Sequence, residues 1–103
     1  MNRERMYRQG DVLLKEIEKC EGVEIAQGMK ILAYGEATGH KHILKGEKVR
    51  FYETTGGQVQ VQVERTAQLV HDEHEEIEIP AGNYQVVLQR EFDLVSGVRQ
   101  VMD

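Results

Sequence analysis

From Gln58 to Glu64 the chain reads Gln-Val-Gln-Val-Gln-Val-Glu, a strict alternation of polar and apolar residues. A period of two puts every valine on one side of an extended chain and every polar residue on the other. That is the pattern of a half-buried strand. Glu76-Ile77-Glu78-Ile79 repeats it, and between the two runs Leu69-Val70 leads directly into His71.

Further extended segments are predicted around this pair. Val12–Ile17 follows the breaker Gly10-Asp11, Met29–Tyr34 ends at Gly35, His40–Leu44 ends before Gly46, and Val49–Glu53 ends at Thr54-Thr55-Gly56-Gly57. Gly-Gly between two alternating runs is a hairpin signal. Tyr84–Phe92 follows the predicted turn Pro80-Ala81-Gly82-Asn83, with Pro80 at a strand end where no ladder bond is lost, and Val98–Val101 is a last short run. Leu14–Cys20 is helical on propensity alone. Closely spaced strands with glycine or proline punctuation predict an all-β fold, a small antiparallel β-barrel or sandwich, as one domain over residues 1–103.

Composition narrows the function. The formal net charge is -5, so bulk electrostatics repel polyanions and disfavour long nucleic acid as a partner. The basic residues Arg3, Arg5, Arg8 and Lys15 read as a solvated end, with a local nucleic-acid contact as the alternative. Cys20 is the only cysteine, so no intramolecular disulfide can form. A reducing, cytoplasmic location is the expectation. The acids around Cys20 disfavour a thiolate nucleophile. No apolar run has membrane-spanning length and no signal peptide is visible. The polar face Gln58, Gln60 and Gln62 reads as solvent-facing or as a sheet edge, and an open edge can pair with a second copy into a homodimer.

The chemistry is concentrated in histidines. All four lie in two pairs, His40-Lys41-His42 and His71-Asp72-Glu73-His74. On a strand, His40 and His42 share a face and Lys41 points away, which suits convergence on a cation. His71 and His74 are three apart, so a straight strand would send them to opposite faces. Only a bend brings both to one site. The expected site is a divalent metal ion held by His40, His42 and His71 or His74, with Glu47, Asp72 or Glu73 as oxygen ligand, general base or supporting partner. A metal there can activate water for hydrolysis or polarise a carbonyl or phosphoryl oxygen.

Gly35-Glu36-Ala37-Thr38-Gly39-His40-Lys41-His42-Ile43-Leu44-Lys45-Gly46-Glu47 resembles the first cupin motif, and Pro80-Ala81-Gly82 resembles the Pro-x-Gly of the second. The resemblance implies a small antiparallel jelly roll and a divalent metal at His40, His42 and Glu47. Gln85 stands where the family has its third histidine, which leaves that role to His71 or His74. The runs Tyr7–Leu14, Gly35–His42 and Pro80–Tyr84 also resemble small bacterial and phage proteins, a likeness that implies no function.

Two other readings use the same residues. His40 with His71 or His74 could act as general base and acid on a phosphodiester without metal, with Thr38, Lys41, Lys45 or Arg90 near the oxyanion of a nucleotide or other small-molecule ligand. No glycine-rich phosphate fingerprint accompanies them. The third reading is a non-catalytic domain that docks a protein through its sheet edge or acidic loop.

Overall fold

The structure, a computed structural model, describes residues 5–34 and 40–89. Six strands are present: β1 (Met6–Gln9), β2 (Val12–Ile17), β3 (Val23–Tyr34), β4 (Lys41–Glu53), β5 (Val59–Val70) and β6 (Ile77–Leu88). They form one antiparallel sheet in the order β1-β2-β6-β5-β4-β3. The all-β antiparallel expectation holds. The sheet is not closed into a barrel among the described residues, because β1 and β3 end it on opposite sides. No helix among those residues is long and apolar enough to cross a membrane.

Several predicted short strands are parts of long ones. His40–Leu44 and Val49–Glu53 merge in β4, Gln58–Glu64 and Leu69-Val70 merge in β5, and the segments around Pro80 merge in β6. Irregularities in the ladder make this possible. In β4 the buried positions are His42 and Leu44 on one side of a register shift, and Val49 and Phe51 on the other. One extra residue restores the apolar face after the parity changes. Gly46 sits at this bulge, and a Cβ there would lie 2.8 Å from Thr66 O. The glycine therefore marks a close backbone approach rather than a strand end.

Pro80 is likewise inside β6 and not at its end. It pairs with Thr66 beside the shift between Val63 and Thr66, where the ladder is already interrupted. Leu14–Cys20 is not helical: through Ile17 it is strand, zipped between β1 and β6. Pairing on both sides outweighs a propensity difference of a few tenths of a kcal/mol per residue. The basic amino-terminal stretch contributes β1. Arg5 Nη2 lies 3.0 Å from Glu16 Oε2, and this hydrogen-bonded pairing holds the Glu16 carboxyl below its usual range.

The glutamine run is also placed differently from the edge reading, since β5 lies between β4 and β6. Gln60 is buried and accepts hydrogen bonds from the Glu21 and Gly22 amides at 2.7 and 3.3 Å. Gln62 accepts from the Tyr52 hydroxyl at 3.3 Å. The predicted turn after Glu53 is present, with the Thr54 amide donating to Gln58 O and the Gly57 amide to Thr54 O, both at 2.9 Å.

The core is mostly aliphatic, in a chain with 6% aromatic residues and no tryptophan. Val12, Leu14, Leu44, Val49, Val61, Val63, Leu69 and Ile79 pack around Phe51 and Tyr84. Its end nearest the β1–β2 hairpin is polar, because Gln9, Asp11, His42 and His71 are also buried. The predicted Val98–Val101 strand, the end of the Tyr84–Phe92 run, and Arg3, Gly35, Glu36, Thr38, Gly39 and Arg90 lie outside the described residues.

Candidate metal centre

Three elements meet at the polar end of the core. His42 is the second residue of β4 and is fully buried. The last rung of the β4–β5 ladder is Ile43 opposite Val70, so the next step sets His42 against His71. There β5 stops, and residues 71–74 bend before β6 begins at Ile77. The bend supplies what a spacing of three lacks on a straight strand, and both rings turn inward. Ring centroids lie 4.2 Å apart for His42 and His71, 4.5 Å for His71 and His74, and 5.8 Å for His42 and His74. One nitrogen from each of the three rings falls within 4.8 Å of the others.

The third element is the β1–β2 hairpin. Gln9 Nε2 donates to Leu69 O and to Glu75 O, each at 2.9 Å. Both amide hydrogens are thus engaged, and Oε1 faces His42 Nδ1 at 2.9 Å. An amide oxygen only accepts, so Nδ1 carries a proton, and in the neutral form of the ring Nε2 carries the lone pair. A ligating histidine is usually held in this way, its far nitrogen donating to an oxygen while the near one faces the metal. Asp11 Oδ1 lies 3.5 Å from that Nε2.

Gly10 allows the turn to come this close. Its φ is +61°, and a Cβ there would sit 2.9 Å from His74 Nε2 and 3.1 Å from His42 Cε1. An L side chain would meet both ring contact and a left-handed backbone.

His71 is held through the other nitrogen. The Glu73 amide donates to Nδ1 at 3.0 Å, which leaves the proton of the neutral ring on Nε2. Burial, then the neighbouring His74 and His40, push its pKa down, so the ring is neutral near pH 7. Ligation through Nε2 would move that proton to Nδ1 and exchange the Glu73 contact. The Nε2 atoms of His71 and His74 are buried and make no hydrogen bond among the described residues.

His40 is outside this trio. It precedes β4 and is partly exposed, with Nδ1 3.4 Å from Glu73 Oε1 and Nε2 3.9 Å from Asp72 Oδ2. Its ring meets that of His71 edge-on at 5.7 Å. A recess of about 210 Å³ is lined by His40, Lys41, Ile43, Val70, His71 and Asp72. Glu47 lines a different recess, at the β4 bulge with Lys48, Arg50 and Glu64. Of the expected residues, His42, His71 and His74 come together, His40 and Glu73 pair beside them, and Glu47 does not join them.

Gln9, Gly10 and Asp11 escaped the sequence reading. The Gly10-Asp11 dipeptide signals a turn, but a turn acid reads the same whether it faces solvent or a ring 31 residues away. Gln9 carried no signal at all.

Fold and site together define a small antiparallel β-sheet protein with a buried histidine cluster at one end of its core. A family model described as a domain of unknown function, DUF8820, matches residues 8–89, and the chain belongs to that family. No curated protein and no solved structure matches it. The matched span contains Gln9, Gly10, Asp11 and all four histidines.

Proposed function

We propose that this protein binds a divalent metal ion through His42, His71 and His74. The observation that carries the reading is the hydrogen-bond chain from His42 Nδ1 to Gln9 Oε1 and from Gln9 Nε2 to the Leu69 and Glu75 carbonyls. It orients the lone pair of a fully buried imidazole toward two more histidines. Three imidazole nitrogens within 4.8 Å of one another suit zinc and the neighbouring late transition metals.

Hydrolysis would require an open coordination position. The recess beside His71 offers the route, and His40, oriented by Glu73 and Asp72, stands where a proton acceptor would be needed. At about 210 Å³ it falls below the usual range of small-molecule pockets, which favours a small ligand over a nucleotide.

The test is elemental analysis of untagged protein, followed by zinc titration after chelation. Near-stoichiometric metal, lost in His42→Ala and His74→Ala, is the expected result. Protein that takes up no metal, and whose thermal stability is the same with zinc or with a chelator, would overturn the reading.

A further inference from the structure

We propose that Asp11 is the fourth ligand of this centre, closing it around a tetrahedral ion of the zinc type and clasping the β1–β2 hairpin to the rest of the sheet. The inference rests on the three-histidine reading and deepens it. A carboxylate with 8% exposure sits at the tip of a two-residue loop, a place where an acid would ordinarily face water. Its Oδ1 is instead 3.5 Å from His42 Nε2.

With Nδ1 donating to Gln9, that Nε2 is the nitrogen left to face an ion when the ring is neutral. An oxygen anion facing this nitrogen is held there by a proton or by a metal cation between them, and the second is the arrangement proposed. Ligand bonds of about 2.0–2.1 Å put neighbouring donors of a tetrahedral site about 3.3 Å apart, close to the separation found. The histidine nitrogens lie within 4.8 Å of one another and Asp11 reaches this group through His42, so ion binding would draw the turn and the rings inward.

The backbone holds the carboxylate in place. Gln89 donates its amide to Asp11 O at 2.7 Å, which ties the turn to the end of β6. Gly10 removes the side chain that would otherwise hold the turn away from His42 and His74. Asp11 on the hairpin, His42 on β4, and His71 and His74 after β5 then share one ion across three separate parts of the chain. Four protein ligands leave no open position, so with Asp11 bound the ion holds the fold, and the hydrolytic role considered above would require Asp11 to leave the ion.

Cobalt(II), titrated into the full untagged chain, separates the possibilities. Wild type should give the intense visible bands of a four-coordinate ion. Asp11→Asn should weaken binding by more than about 100-fold, the upper end for a merely supporting partner, and should change the spectrum. Asp11→Cys is the second variant, and it remains informative if Asp11→Asn fails to fold. A thiolate at position 11 should add a near-ultraviolet charge-transfer band absent from wild type, whose Cys20 sets the baseline. If Asp11→Cys binds cobalt without that band, or Asp11→Asn keeps the wild-type spectrum, Asp11 is not a ligand while the three-histidine reading stands. If wild type binds no cobalt, the metal reading itself fails and this inference with it.

Discussion

Gln9 Oε1 and His42 Nδ1 are joined by a 2.9 Å hydrogen bond, and this contact decides which face of His42 is nucleophilic. Gln9 can serve because both of its amide hydrogens are already committed to main-chain carbonyls. Gln9→Leu should therefore act twice. It should weaken zinc binding by about 10–100-fold, as loss of a histidine's outer partner does. It should also cost about 1–3 kcal/mol by stranding buried polar groups. Calorimetric zinc titration reads the first effect and urea unfolding of the metal-free protein the second. A variant equal to wild type in both would contradict the role of this hydrogen-bond chain.

Gly10→Ala should destabilise the protein by at least about 1–2 kcal/mol, the cost of a left-handed backbone for an L residue. The added methyl also pushes against His74 Nε2 and His42 Cε1, so zinc affinity should fall in parallel. Gly57→Ala is the control. It shares a positive φ, at +84°, but has nothing within 4 Å of the new Cβ. It should lose stability alone, and equal metal loss in both variants would count against close packing at Gly10.

Cys20 should resist alkylation at neutral pH. Burial pushes its thiol up to about 11, and its Sγ lies 3.9 Å from Asn83 Oδ1. Only the thiolate attacks, so the iodoacetamide rate should keep rising past pH 9 and level near 11. A midpoint near 8.5, that of a free thiol, would place the sulfur in solvent.

Tyr84 couples the core to alkaline pH. Burial pushes its phenol up to about 12, and its hydroxyl donates to Pro80 O at 2.8 Å. The folded state holds this proton more tightly than the unfolded state, whose tyrosine titrates near 10. Stability from this group is complete below pH 10 and is lost as pH climbs toward 12. Urea midpoints across that window should fall more steeply for wild type than for Tyr84→Phe. At pH 7, Tyr84→Phe should cost about 1–2 kcal/mol for the missing hydrogen bond. Parallel pH profiles would show the phenol titrating as if exposed.

Much of the sheet was legible because alternation is a local property. Val59, Val61 and Val63 announce their face whatever they pack against, and Val12–Ile17 has the predicted bounds. Strand ends were less legible. Gly46 and Pro80 look like terminators, yet each sits at a register shift inside a longer strand, and a bulge is a relation between two strands. The interior position of Gln60 was invisible for the same reason, since it depends on which neighbours flank β5.

The candidate site divides along the same line. Histidine pairing within a few residues picked out His42, His71 and His74 together with His40, because short spacing survives in one dimension. That residues 71–74 bend, that Glu47 faces another recess, and that Gln9, Gly10 and Asp11 close over the rings followed only from the tertiary structure. Sequence alone determined an antiparallel, aliphatic, half-buried sheet carrying clustered imidazoles. Which of them share a point, and which proton sits on which nitrogen, was decided by contacts between segments 31 to 66 residues apart, made by the β1–β2 hairpin across to His42 and the end of β5 although β6 and β5 separate it from β4 in the sheet.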